Sequence, residues 1–424
     1  MKEEKDLLYD THEKPSIGEW IVLAFQHIFA MFGATILVPL LVNEMAGATV
    51  LTIPVTLLAS GLGTLAYILC TKGKSPVYLG SSFAYIAPMA TAFAAGGTGS
   101  VATGLILVGL VYCTVSLIIK VFGKDWIDKL LPPVIIGPMI IIIGMSLAPN
   151  AITQMGLAST TLEWKTILVG IITFLVTALT AVGAKGFLKI IPFLIGIVTG
   201  YITSIIFGLV DFTTIANAPF FELPNIMIPF KDYNFTLVGV LAIVPIALVT
   251  IAEHIGDHMA LSNIINKDLI KDPGIERTIL GDGVASLIAG LIGGPANTTY
   301  GENTSVVGMT KVASIWVIGL AAILTIIISF FGKITALFQT IPDPVLGGVS
   351  LLLYGFISIN GLKVIVRNKI DYENIRNVVI TSAMLVIGIG TSVLETSLPL
   401  TGMSLAAIVG ILLNLLLPNK KEAK

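Results

Sequence analysis

A chain of 424 residues that is 55% hydrophobic and only 12% charged is not an ordinary soluble domain, in which about a quarter of the residues carry charge. Its net charge of −1 and its two cysteines, Cys70 and Cys113, both inside apolar runs, offer no basic nucleic-acid surface, disulfide framework or metal-binding spacing. Continuous apolar stretches such as Trp20 to Asn43 and Met45 to Thr71 reach the roughly 20 residues that a spanning helix needs, and their lack of alternation excludes a β-barrel.

The first 17 residues mix Lys, Glu, Asp and His and show no small-residue cleavage site, so they read as a cytoplasmic tail rather than a signal peptide. Breaking the apolar runs at Gly, Pro and charge clusters predicts 14 spans, near 18-42, 49-70, 80-93, 101-120, 130-148, 166-184, 188-209, 236-260, 277-293, 302-314, 314-332, 343-361, 377-393 and 399-417. With the amino terminus inside, the cytoplasmic segments hold 21 Lys and Arg residues, from Lys2 and Lys5 to Lys420, Lys421 and Lys424, while the outer side holds only Lys165, Lys231 and Lys333. This positive-inside bias sets the orientation, and an even span count puts both termini in the cytoplasm.

Spans 3 and 10 are irregular. The third begins Gly80-Ser81-Ser82-Phe83, and the tenth follows Gly293-Gly294-Pro295-Ala296-Asn297-Thr298-Thr299-Tyr300-Gly301-Glu302. Both read as short extended segments leading into half-helices, which survive at membrane depth only where protein or a water-filled cavity satisfies the backbone. A weak internal repeat frames them. Phe122-Gly123-Lys124 precedes Pro133-Val134, Gly137 and Gly144, and Phe331-Gly332-Lys333 precedes Pro344-Val345, Gly348 and Gly355; Gln26-His27-Ile28 echoes Glu253-His254-Ile255. Seven spans separate each pair. An odd repeat unit inverts the second half, which predicts an all-α polytopic fold built as a 7+7 inverted repeat with its site where spans 3 and 10 meet.

Charged side chains at membrane depth cost roughly 2.5 to 3.5 kcal/mol each on insertion scales and so point to function. Glu253 and Asp257 lie four apart on one face of span 8, and Glu302 sits at the break before span 10. A buried polar network is the alternative reading, and for Asp257 a position shallow enough to reach cytoplasmic water. Asp282 lies near the basic inner loop and is expected to snorkel or cap. His254 points to a different face from Glu253 and reads as structural; His27 and His258 read as packing residues, and any of the three could relay protons. No phosphate loop, nucleophile elbow or metal motif occurs, which argues against ATP-driven transport by this chain alone and against an enzyme.

Three stretches carry a resemblance: Ser75-Pro76-Val77-Tyr78-Leu79-Gly80-Ser81-Ser82-Phe83-Ala84-Tyr85-Ile86, Ala252-Glu253-His254-Ile255-Gly256 and Asn297-Thr298-Thr299-Tyr300-Gly301-Glu302-Asn303. They resemble the bacterial uracil permeases of the nucleobase-ascorbate transporter (nucleobase:cation symporter) family, from span 1 to span 14. The resemblance implies a core domain from 18-120 and 235-332, after the 1-17 tail, and a gate domain from 121-210 and 333-418. It further implies proton-coupled import of uracil across the cell (inner) membrane, a homodimer contacting through the gate, and no cofactor besides the proton. By position, the substrate contacts fall on Phe83, Ser82, Glu253, Tyr300, Gly301, Glu302 and Tyr354. Relatives often carry His four residues after the span-8 Glu, where this chain has Asp257; the proton-coupling candidates are therefore Glu253, Asp257 and Glu302. A permease for a purine or another pyrimidine, and an anion transporter of related architecture, are the competing readings. Two carboxylates at the break would repel an anion.

Overall fold

The computed structural model describes residues 7–227, 233–393 and 402–418. Lys2, Lys5, Lys231, Lys420, Lys421, Lys424 and the beginning of the last predicted span lie outside the described residues. The helices are α1 (Ile17–Ala46), α2 (Ile53–Cys70), α3 (Ile86–Phe122), α4 (Asp125–Leu130), α5 (Pro133–Gln154), α6 (Trp164–Gly183), α7 (Pro192–Ile206), α8 (Thr213–Asn217) and α9 (Leu237–Ile243). They continue as α10 (Ile246–Ile265), α11 (Ile275–Ile292), α12 (Gly301–Thr310), α13 (Ile315–Ile328), α14 (Gly332–Gln339), α15 (Asp343–Arg367), α16 (Ile375–Val393) and α17 (Gly402–Leu416).

Sequence punctuation explains these boundaries. Proline occupies the first turn of α2, α5, α7 and α15, where its missing N–H is no loss. Gly47 and Gly293 close α1 and α11 in the left-handed conformation, which a side chain would disfavour. Spans 3 and 4, expected as separate helices, are the two pieces of α3, divided at Gly96 and Gly97, whose backbone is not helical. Among the described residues, eight helical stretches are long and apolar enough to cross a membrane, and α13 with α14, bent by 84°, makes a ninth. The chain is thus mostly helical, with the many apolar helices of a polytopic membrane protein.

Two bodies of helices are evident. In one, α11 packs on α2 and α3, and α13 on α1 and α2; in the other, α15 packs on α5, α6 and α7, and α16 on α5 and α17. Between α2 and α3 lies strand β1 (Leu79–Ser81), and between α11 and α12 lies β2 (Asn297–Thr299). They pair antiparallel, with Leu79 opposite Thr299, Gly80 opposite Thr298 and Ser81 opposite Asn297. The extended segments expected in spans 3 and 10 are therefore partners of each other, far apart in sequence.

Residues 7–16 form a strap. Leu8 N–H donates to Lys311 O at 2.8 Å, Ala313 N–H to Tyr9 O at 2.8 Å, and Ile315 N–H to Thr11 O at 2.9 Å. Lys267 Nζ meets Asp10 Oδ1 at 2.6 Å. Partial burial works against ionisation of Asp10, but Lys267 and the Thr11 N–H outweigh it and hold the carboxyl below its usual range. Lys14 Nζ lies 4.2 Å from the Trp20 ring centre and 5.3 Å from that of Trp316, a paired cation–π contact.

Candidate functional site

The strand pair needs its backbone satisfied without water. For β1 the supply comes from α2: Thr64 Oγ1 accepts from Leu79 N–H at 3.0 Å, and Leu79 O accepts from Ser60 Oγ at 2.6 Å and Thr64 Oγ1 at 3.2 Å. For β2, Ser286 Oγ donates to Asn297 O at 3.1 Å, while the Asn297 amide donates to Ala59 O at 3.0 Å and Ala285 O at 3.2 Å. Beyond β1 the chain passes into a tight helical turn, Phe83–Tyr85, and then α3; beyond β2 it passes through Tyr300 into α12. Ser82 N–H donates to Ala296 O at 2.9 Å and Tyr300 N–H to Tyr78 O at 3.2 Å, which closes the ladder at both ends.

Two helical segments thus begin at the strand pair, and α10 packs against both of them and against β2. Glu253 and Asp257 lie one turn apart on α10 and are half-buried; Glu302, also half-buried, occupies the first turn of α12. That first turn suits an acid, because unsatisfied helix-start N–H groups favour negative charge. Asp257 is held by the β2 residue Thr299, whose Oγ1 donates to Oδ2 at 2.7 Å. Phe83 is half-buried at the head of its turn, and Gly301 is exposed, with open space where a Cβ would stand. The three carboxylates, the Phe83 ring and the backbone at Gly301 thus come together around the paired strands.

Other residues expected in the site are placed differently. Tyr300 is buried, and its hydroxyl donates to Ser81 O at 2.9 Å and accepts from Thr35 Oγ1 at 3.1 Å. Its ring lies against Gly80, where any Cβ would collide with it. Ser82 Oγ is buried with no hydrogen-bond partner among the described residues. Tyr354 is buried on α15, in the other helix body. Asp282 does not snorkel: it is fully buried two turns into α11 and meets His254 Nδ1 at 2.7 Å through Oδ2. His27 on α1 is bonded to α12, with the Asn303 amide donating to its Nδ1 and its carbonyl oxygen, both at 3.1 Å. Thr299, Thr35 and Asn297 were not anticipated; an unbroken polar run, Asn297-Thr298-Thr299, between apolar helices is the signal that marks the first and last of these.

A cluster that offers several hydrogen-bond acceptors, an aromatic ring and helix-start N–H groups suits a small, polar, planar solute. Comparison with known proteins agrees with a transporter. A family described as "Permease family" (Xan_ur_permease) matches residues 18–396. The chain is 49% identical over 422 residues to a protein named uracil permease from Bacillus caldolyticus, covering 98% of this chain and 95% of that one. It is 47% identical to the uracil permease of Bacillus subtilis strain 168, covering 96% and 94%, and 45% identical to that of Escherichia coli K12, covering 95% and 92%. Among solved structures, the transmembrane domain of the cyanobacterial bicarbonate transporter BicA shares the fold at a TM-score of 0.59 and 15% identity, covering 93% of this chain and 99% of that one. The murine anion transporter Slc26a9 does so at 0.65 and 12%, covering 95% and 68%. With a match that runs from residue 18 to residue 396 and relatives near half identical along almost the whole length, this chain belongs to that permease family.

Proposed function

We propose that this chain imports uracil by proton symport across the cell membrane. The observation that carries the substrate is the run of relatives named uracil permease at 45% to 49% identity over at least 95% of this chain. The chemistry of the cavity fits. Uracil is neutral and planar, with two ring N–H donors and two carbonyl acceptors; Glu253 and Glu302 accept from the N–H groups, and backbone N–H groups near Phe83 and Gly301 donate to a carbonyl. Phe83 packs against the ring, and Gly301 lets the backbone approach it.

Like charges gathered at one site favour the uptake of a proton, and proton entry with the substrate would relieve the crowding of these three carboxylates. Glu253, Asp257 and Glu302 are the candidates to carry it. Counting both pieces of α3, together with α7, α11, α12, α13 and α17, alongside the long helices gives 14 crossings, the number expected of a 7+7 inverted repeat. The body containing α1, α2, α3, α11 and α13 serves as core and the body around α5, α6, α7, α15 and α16 as gate. Movement of one against the other alternates access, the excess of Lys and Arg places both termini in the cytoplasm, and the gate provides the surface for a homodimer.

Uptake of labelled uracil into proteoliposomes, with and without an inward proton gradient, tests this reading. Wild-type protein should concentrate uracil at least severalfold when the gradient is present, and Glu302→Gln should lose most of that uptake. Uptake indifferent to the gradient sinks the coupling; saturable uptake of a purine in preference to uracil sinks the substrate.

A further inference from the structure

Helix α10 has a second polar face. Glu253 and Asp257 look toward the strands, whereas Thr250, His254 and His258, spaced four apart, form a stripe that is fully buried. Each member of the stripe reaches a different element. Thr250 Oγ1 lies 3.0 Å from Tyr85 Oη in the turn before α3, His254 Nδ1 lies 2.7 Å from Asp282 Oδ2 on α11, and His258 Nε2 lies 2.5 Å from Tyr67 Oη on α2.

Thr250 Oγ1 also lies 3.2 Å from Ile246 O within its own helix, and either hydroxyl can supply the proton of the bond to Tyr85. His258 Nδ1 is 2.9 Å from His254 O; a carbonyl only accepts, so Nδ1 carries a proton, and the Tyr67 hydroxyl lies between His258 Nε2 and Ser75 Oγ, to which it donates at 2.9 Å. The first rung matters most for the site. Tyr85 closes the same tight turn that Phe83 opens, and Thr250 sits one helical turn before Glu253. A single directional bond therefore links the segment that presents the Phe83 ring to the segment that presents the Glu253 carboxylate. Apolar packing would hold the two in contact but would tolerate rotation of α10 about its axis; a hydrogen bond, which needs both hydroxyls within reach and aligned, does not.

We propose that Tyr85 and Thr250 are positioning residues for ligand binding, setting the registry between Phe83 and Glu253, while the His254 and His258 rungs hold the rest of α10 against α11 and α2. The role in affinity rests on the reading of this cavity as a uracil site. The registry itself does not.

The test uses full-length protein carrying Tyr85→Phe, Thr250→Val, both together, or Thr250→Ser. In proteoliposomes each single change should raise KM for uracil about three- to tenfold, the worth of one buried hydrogen bond, with Vmax within about twofold of wild type. Because one bond is being removed, the double variant should be no worse than either single, and Thr250→Ser should restore the wild-type KM. Hydrogen exchange at residues 83–86, which needs no ligand, should quicken about fivefold or more in the two disrupting singles and not in Thr250→Ser. An unchanged KM with unchanged exchange, or additive losses in the double variant, overturns the proposal. If wild-type protein takes up no uracil, the substrate reading falls and the exchange measurement alone decides the registry.

Discussion

The two broken segments at the centre of the molecule, Leu79–Tyr85 and Asn297–Thr310, have the same form and are held in different ways. Each is a three-residue strand leading into a helical segment, and each strand is the other's partner. Strand β1 imports its support: both backbone groups of Leu79 are served by hydroxyls from α2, and its carbonyl has two donors. Strand β2 receives one such bond, from Ser286 Oγ to Asn297 O, and is otherwise anchored by its own Asn297 side chain, which reaches out to carbonyls of α2 and α11. The first segment continues into Phe83 and contributes a ring and no charge; the second continues into Glu302 and contributes a carboxylate in a helical first turn. Shape and charge thus enter the cavity from different parts of the chain, and only the strand pairing brings them to the same depth.

This asymmetry can be broken experimentally. The largest effect is expected of Asn297→Ala, which removes the side-chain hydrogen bonds that Ala59 O and Ala285 O accept beside their intrahelical ones and leaves a gap between α2 and α11, at a cost of about 2 to 3 kcal/mol; the yield of monodisperse protein in size-exclusion chromatography should fall severalfold. A well-behaved Asn297→Ala protein would show that β2 is not anchored through this side chain. Next comes Gly80→Ala. Its methyl group would collide with the Tyr300 ring, which ties β1 to α1 through Ser81 and Thr35, so uptake should fall about tenfold or more while the protein still folds. Unaltered uptake would mean that the two strands can separate slightly without loss. The smallest effect is expected of Ser60→Ala. Thr64 still donates to Leu79 O, so the melting temperature should move by only a few degrees, corresponding to about 1 kcal/mol or less. A Ser60→Ala protein as damaged as Asn297→Ala would erase the distinction between redundant and single support.

Much of this arrangement was legible in the sequence where a strong local rule operates. Two glycines followed directly by proline, Gly293-Gly294-Pro295, are a strong helix stop, so the interruption before Glu302 was visible. Glu253, Asp257 and Glu302 stood out because charge is costly in lipid. The pairing of the strands was not legible, since three residues carry no periodicity and their partners lie more than 200 positions apart. Asp282 was misread because Arg277 and the preceding basic loop are close in sequence; in the fold, two helical turns separate it from the helix start and His254 offers it a partner. The division between spans 3 and 4 was legible because Gly96-Gly97 breaks a helix locally, and the backbone is non-helical at both residues. Tyr300 is expected at the substrate from the family resemblance, and the fold adds what the sequence could not, that Ser81 and Thr35 engage its hydroxyl.

The strap formed by residues 7–16 has a practical consequence. It is hydrogen-bonded to Lys311, Ala313 and Ile315, immediately after the helix that carries Glu302. A fluorophore attached to the strap is therefore mechanically coupled to that helix. Paired with a second label on α16, it would measure whether the two groups of helices shift relative to each other when uracil is added, with no alteration to Glu253, Asp257, Glu302 or Phe83.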